Sequence, residues 1–469
     1  MNKVLKFLQK EWVLILILII LASVTRFLYL GYPKEVVFDE VYFAKWVTNY
    51  FKGDFYFDIH PPLAKMMLAA LAKIFGYTNF GNTSFISQIG DKYDTDFYKF
   101  LRGVEAFFGM ILVLAVYALG KRMFQNKWPG FLAALLVVFD NAILVQSRFI
   151  FTDVFLLAFG VIGLYFIYRL KEHKKLDGNA WVDLFFAALF LTAAVLVKWT
   201  ALVFLGVGIF VLFLTHCCGK ARKIKLFIKE GAIIMIIFFA VYFGVFAVHL
   251  LSLPNTGGPN ADAFLSARSQ SALLGNQYYG KYQPPSLISR IVELNISMFV
   301  ANAGLNAKHA YSSKWYSWPI MYRPIYDWNK VNNDGTNSRI YLIGNPLIWW
   351  LGFLAVIFAI LALLYELRFK EKTIYFQPLL ILIFGYLLNL LPYLGISRPA
   401  FLYHYFPSFI FMSLITGFLL WIFLERKPLI LIFIFVVLIS SFIYFAPLSY
   451  GLPMSDVEYN ARVWLPSWR

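Results

Sequence analysis

The chain has 469 residues, of which 61% are hydrophobic, 20% aromatic and only 14% charged. Soluble domains carry nearer a quarter charged residues, so this composition excludes a water-soluble globule and implies a chain threaded repeatedly through a bilayer. The formal net charge of +17 does not call for nucleic acid, because the cations fall in short loops between apolar runs and suit anionic lipid headgroups.

Apolar stretches long enough to cross the hydrocarbon as helices lie near 13–30, 103–120, 128–147, 150–168, 181–197, 199–215, 231–252, 345–365, 375–394, 400–422 and 429–446. Helix is the expected spanning form, since each backbone must satisfy its own hydrogen bonds in lipid. The fold class is therefore an all-α polytopic membrane protein with about eleven crossings. The basic opening MNKVLKFLQKEW resembles the charged region of a signal peptide. The run after it is long and Ala22–Ser23 is a poor cleavage site, so it is read as a retained anchor.

Between the first two spans, residues 31–101 form a long external segment in which 41–51 and 62–75 have amphipathic helical spacing, as for helices lying on the membrane surface. The pairs 128–147/150–168 and 181–197/199–215 must turn tightly. Residues 253–344, rich in Pro, Gly, Asn, Tyr and Trp, read as an ordered, loop-rich cap. The chain thus divides into a membrane unit over 1–252, this cap, C-terminal spans over 345–446 and an external tail over 447–469.

One alternate set of short loops is basic: Lys3/Lys6/Lys10, Lys121/Arg122/Lys127, Arg169/Lys171/Lys174/Lys175, Lys220 to Lys229, Arg368/Lys370/Lys372 and Arg426/Lys427. The other set offers only Arg148, Lys198 and Arg398. The positive-inside rule then places the N-terminus in the cytoplasm and the C-terminus outside, in the cell membrane. Cys217 and Cys218 fall on the cytoplasmic side and suggest neither a disulfide framework nor a metal site.

Candidate chemistry gathers at the external face. Asp39 and Glu40 follow the first span in VVFDEVYFAKW. Such a pair suits binding and deprotonation of a hydroxyl, or else Asp39 caps the following helix with Glu40 in its first turn. Asp58 and His60 stand in FYFDIHPPLAKMM, either at a site or in a loop ended by a Pro-Pro turn. Arg102, Arg148, Lys198 and Arg398 lie at external ends of apolar helices, where they either snorkel or gather round a lipid-anchored phosphate. Asp153, just inside a span, needs a partner or a function, because an unpaired carboxylate there costs up to about 3 kcal/mol; Arg148 is a nearby candidate. No nucleotide loop, zinc motif or haem motif is present, and neither a metal nor another cofactor is expected.

In order, FDEVYFAKWVTNYF, FDIHPPLAKMM, YKFLRGVEAFFG, FDNAILVQSRFIFTD, LVKWTAL, WYSWPIMYRPIYDW, GNPLIWW and RPAFLYHYFPSFIF resemble the signatures of the protein O-mannosyltransferases across about nine-tenths of the chain. The resemblance implies a GT-C glycosyltransferase that takes mannose from a polyprenyl-phosphate carrier and attaches it to Ser or Thr of a protein. Eukaryotic members carry a MIR β-trefoil in the later external loop; residues 253–344 are too short for one, which points to a bacterial or archaeal member. Carried onto this sequence, Asp39 and Glu40 match the acidic pair on the acceptor side, Asp58 and His60 the acidic/His loop, and Arg102 the arginine at the lipid phosphate. Arg148, Asp153, Lys198, Arg398 and His404 complete the expected substrate-binding set. Asp39 would deprotonate the hydroxyl while Arg102, with Arg148 or Arg398, stabilises the departing phosphate, inverting the sugar carbon without a metal. A GT-C enzyme acting on a lipid or glycan, and a transporter, are the other readings. A transporter would favour polar residues at the bilayer midplane, whereas here they gather at one face.

Overall fold

The computed structural model describes residues 10–77, 87–173, 175–218, 223–305 and 309–469. Lys3, Lys6, Lys174 and Lys220, counted above in the basic loops, lie outside the described residues. The helices of the first half are α1 (Glu11–Phe27), α2 (Glu40–Lys52), α3 (Leu63–Ile74), α4 (Phe97–Phe124), α5 (Lys127–Val138), α6 (Asn141–Gln146), α7 (Asp153–Leu170), α8 (Gly178–Val195), α9 (Leu202–Cys217) and α10 (Ile224–Ser252). After them come α11 (Leu287–Ala303), α12 (Pro346–Phe369), α13 (Phe376–Leu390), α14 (Phe406–Leu424), α15 (Pro428–Tyr450) and the short α16 (Asp456–Arg462).

Nine helices among the described residues are long and apolar enough to span: α4, α7, α8, α9, α10, α12, α13, α14 and α15, some extended by a flanking 3-10 turn. Helix α1, at 17 residues, and the interrupted pair α5–α6 occupy the other two expected positions. The chain is a multi-pass membrane protein. Ile236, Phe239, Val248 and Leu251 on α10, and Leu354, Leu361 and Leu364 on α12, are exposed, as suits side chains facing lipid. Gly120 and Gly130 let α4 and α5 cross closely: a Cβ at Gly130 would come 2.3 Å from the Tyr117 carbonyl oxygen.

The expected single helix over 128–147 is broken, and the cause is local. Asp140 accepts the Ile143 N–H at 2.8 Å and so starts α6 anew. Its other oxygen accepts from the Asn345 N–H at 3.0 Å and the Trp349 indole at 2.7 Å, while the Asn345 amide donates to the Phe139 carbonyl at 3.1 Å. The FDN and GNP…WW stretches therefore meet as one polar splice. Arg26, at the end of α1, donates to the carbonyls of Val137 (3.0 Å) and Val138 (3.2 Å), which close α5.

The cap carries strands that the sequence reading lacked. β1 (Ile325–Val331) and β2 (Asn337–Leu342) form an antiparallel hairpin, and β3 (Pro453–Met454), from the C-terminal tail, pairs with β2. The register slips between Tyr326 and Trp328, leaving Asp327 as a bulge. The tail belongs with the cap, since buried Trp468 donates to the Met321 carbonyl at 2.9 Å.

Candidate active site

Helices α2 and α3 form where expected, with Glu40 in the first turn of α2, but Asp39 does not cap it. The Asp39 side chain makes no capping hydrogen bond. Phe38, just before it, sits at φ +43°, a left-handed conformation costly for a bulky residue. Thr152, at φ +68°, stands in the same relation to Asp153. The two strained turns touch through an edge-on contact of Phe38 with Phe151, ring centroids 6.3 Å apart.

Glu40 and Arg102 are a brace rather than a substrate site. Both side chains are 0% exposed. Arg102 Nε and Nη2 donate to the two Glu40 oxygens at 2.8 and 2.7 Å, and the guanidinium also donates to the carbonyls of Pro33 (2.7 Å) and Glu35 (3.0 Å). Glu40 further accepts from the N–H groups of Val37 (3.0 Å) and Ile150 (3.1 Å) and from the Tyr93 hydroxyl (3.3 Å). Tyr98 and Phe149 each lie 4.8 Å from the guanidinium. This corrects two expectations: Arg102 has no face left for a lipid phosphate, and Glu40 has none for an acceptor. Together they tie the segment between α1 and α2 to α4 and to the turn before α7.

Arg148 is corrected in the same way. It is 0% exposed and donates to the carbonyls of Arg26 (3.1 Å), Leu28 and Tyr29 (2.8 Å), closing the C-terminus of α1, with Tyr450 4.4 Å away. It does not pair with Asp153. That carboxylate is held by Lys198, whose Nζ donates to both of its oxygens at 2.9 Å.

His60, Asp153, Lys198, Arg398 and His404 line one cavity of about 680 Å³. The rest of its wall includes Leu156, Leu157, Leu202, Val203, Leu388 and Phe406, so a cationic, imidazole-bearing end gives way to an apolar lane. Lys198 lies 5.3 Å from the Tyr403 ring and 5.9 Å from that of Phe43, one turn beyond Asp39 on α2. Arg398 Nη2 lies 3.5 Å from His404 Nε2, and no ion-pair partner of Arg398 occurs among the described residues. His404 is fixed by the Phe401 N–H, which donates to its Nδ1 at 3.1 Å.

Asp58 stands behind this cavity and not in it. It is buried in an ion pair with Lys65 and accepts the His60 N–H at 3.1 Å, while Lys65 also donates to the His60 carbonyl at 3.2 Å. Asp58 therefore sets the loop that presents the His60 ring, where a substrate contact was expected. Burial, then the charges of Lys198, Lys65 and Arg398, keep that imidazole neutral, well below its usual pKa. Asp39 is half-buried. Burial raises its carboxyl to about 6, against the pull of Lys198 and with the repulsion of Asp153 and Asp58. A carboxylate so placed is a base matched to neutral pH.

Lys65, Tyr403 and Asp327 were missed by sequence reasoning, although each stands inside one of the stretches FDIHPPLAKMM, RPAFLYHYFPSFIF and WYSWPIMYRPIYDW. The signal for Lys65 was a cation seven residues after Asp58, in the first turn of a helix whose only other charge is Lys73 in its last turn.

This arrangement of spanning helices with the short helices α2 and α3 and a cavity is the GT-C membrane fold. The family described as dolichyl-phosphate-mannose-protein mannosyltransferase matches residues 16–253, and the C-terminal four-transmembrane region of protein-O-mannosyltransferase matches 287–468. The chain belongs to this protein mannosyltransferase family. It is 34% identical over 270 residues to protein O-mannosyltransferase 1 of Drosophila melanogaster, covering 55% of this chain and 30% of that one. It thus spans less than a third of that relative's length. It is 25% identical to the polyprenol-phosphate-mannose–protein mannosyltransferase of Mycolicibacterium smegmatis, covering 98% of this chain and 93% of that one. A solved structure of the Saccharomyces cerevisiae protein O-mannosyltransferase Pmt1-Pmt2 complex bound to the sugar donor superposes with a TM-score of 0.88 at 18% identity, over 98% of this chain and 92% of that one.

Proposed function

We propose that the protein transfers mannose from a polyprenyl-phosphate-mannose donor to Ser or Thr hydroxyls of proteins. The observation that carries this reading is a cavity whose cationic end, with Lys198 and Arg398, continues into an apolar lane; Asp39 does not line it but feels the charges of Lys198 and Asp153, which do. A lipid-linked sugar phosphate has that same polarity along its length. Asp39 takes the acceptor proton as the hydroxyl oxygen bonds to the sugar C1. The bond from C1 to the phosphate oxygen breaks with its electron pair left on the phosphate, and the anomeric centre inverts. Arg398 and Lys198 stabilise that phosphate, with His60 and His404 lining the sugar-phosphate end. Arg398, with Lys198 sharing its charge between Asp153 and the phosphate, supplies the charge neutralisation that a metal would otherwise give, so the reaction runs without one.

The acceptor face is external and the N-terminus cytoplasmic, in the cell membrane. Supporting this, the ion pairs Lys121–Glu11 and Arg122–Glu172 gather basic loop ends at the opposite end of the bundle from Lys198 and Arg398. The test incubates purified protein with labelled polyprenyl-phosphate mannose, a Ser/Thr peptide and a chelator. Label should enter the peptide, and Asp39→Asn should lower turnover about 10²-fold. Label entering a lipid or glycan acceptor but no peptide would replace this reading with the other GT-C one.

A further inference from the structure

The hairpin of the cap delivers a carboxyl that the reaction as described leaves unused. Asp327 is 1% exposed, and neither of its carboxyl oxygens has a hydrogen-bond partner among the described residues. Buried polar groups left unpaired are rare and costly, so one kept in a well-packed strand needs an explanation. Its setting supplies one. Asp327 is the bulge residue of β1, where two residues face one and a side chain is re-aimed. Its carbonyl accepts the Phe38 N–H at 3.2 Å, which ties the bulge to the strained residue immediately before Asp39. The hairpin thus holds the residue before the base through one backbone hydrogen bond.

The charges around the two groups fix how protons divide between them. Asp39 faces Lys198 in the turn after α8, Asp153 at the start of α7, Asp58 in the loop before α3 and Tyr403 before α14. Lys198 favours its ionisation. Asp327 feels burial and then the Asp39 charge, both of which oppose its own ionisation and hold its carboxyl well above the usual range. Two carboxyls that repel one another in this way share one charge, and the better-compensated one takes it. Asp39 is then the carboxylate and Asp327 the neutral acid, which has an O–H to give.

We propose that Asp327 is a positioning residue for Asp39: its neutral carboxyl donates, through one bridging water, to the Asp39 carboxylate and holds that base turned toward the acceptor hydroxyl. The oxygen of Asp39 not engaged by this hydrogen bond is the one left to receive the acceptor proton. Asp327 keeps its own proton throughout, so the step adds no co-reactant. This rests on the reading of Asp39 as the base.

The experiment compares Asp327→Asn and Asp327→Leu in the purified full chain, with Asp39→Asn alongside. Asparagine keeps a donor of the same shape and cannot ionise; leucine keeps the volume and removes the donor. Asp327→Asn should hold kcat within about threefold, whereas Asp327→Leu should lower kcat at least about tenfold with donor KM unchanged. Loss of a hydrogen bond to the charged form should also move the acid limb of the Asp327→Leu rate profile to higher pH. A purely structural role would lower the melting temperature and leave that limb in place. Should Asp327→Leu not fold, the limb and kcat of Asp327→Asn and Asp327→Ser decide, since Ser keeps a donor too short to reach. Equal kcat and equal acid limbs in all folded variants, with Asp39→Asn inactive, would overturn the proposal alone. An active Asp39→Asn would overturn the reading beneath it.

Discussion

Replacing Arg398 by alanine separates the phosphate site from the scaffold. Arg398 lines the cavity, is half-buried and has no carboxylate partner among the described residues; its nearest polar neighbour is His404 Nε2 at 3.5 Å. Its removal therefore leaves no buried charge stranded, and the fold should keep its melting temperature. What is lost is a charge-assisted contact to the donor phosphate, about 1.5–3 kcal/mol, which corresponds to a ten- to hundredfold weaker donor affinity. Because the phosphate gains charge as it departs, kcat should fall as well. Arg398→Lys should recover part of each loss, since a point charge replaces one prong of a planar fork. The assay is donor binding by competition with a polyprenyl phosphate, with turnover on the same detergent-solubilised samples. Wild-type donor affinity in a folded Arg398→Ala would refute the assignment and leave Lys198 as the phosphate ligand.

Three further outcomes follow from the geometry. Arg102→Ala strips the partner from a fully buried Glu40 and should destabilise the protein by about 3–5 kcal/mol, read as lost yield and a lower melting temperature, whereas a phosphate ligand would lose affinity and keep its fold. With the Asp39 carboxyl raised to about 6, the ionised base is present above that pH and lost below it; kcat/KM should fall tenfold per pH unit below about 6, where an ordinary carboxylate would hold activity to about 4. Trp349→Phe deletes the 2.7 Å indole bond to Asp140 and should cost about 1–3 kcal/mol by thermal unfolding, with little change in the KM of residual folded enzyme.

Hydropathy made the spans legible because lipid imposes one requirement on every residue of a crossing helix. It could not reveal the break after Val138, since the run is apolar on both sides. The clue was Asp140, and its consequence depended on Asn345 and Trp349, some two hundred residues away in sequence. The same distance hid the roles of the cations. Arg102, Arg148 and Arg398 all lie at helix ends in the sequence, yet two are held by internal acceptors and one is not. Charge at a helix end is visible in one dimension; what it meets is not. Asp327 was invisible for a related reason, since a bulge is a property of two paired strands and exists in neither alone.

Helices α1 and α5 finish one another. Arg26 from α1 closes the last carbonyls of α5, and Arg148, two residues past α6, closes the last carbonyls of α1. A helix inserted into lipid first must carry its arginine and its open carbonyls without their counterparts until more than a hundred further residues have been made. The first span is thus held in an unfinished state during synthesis, close to water or headgroups at its outer end, and only the arrival of the broken helix lets it settle. A mutation at Arg148 would then be felt first as a defect of membrane insertion at residues 11–27, well upstream of the change itself.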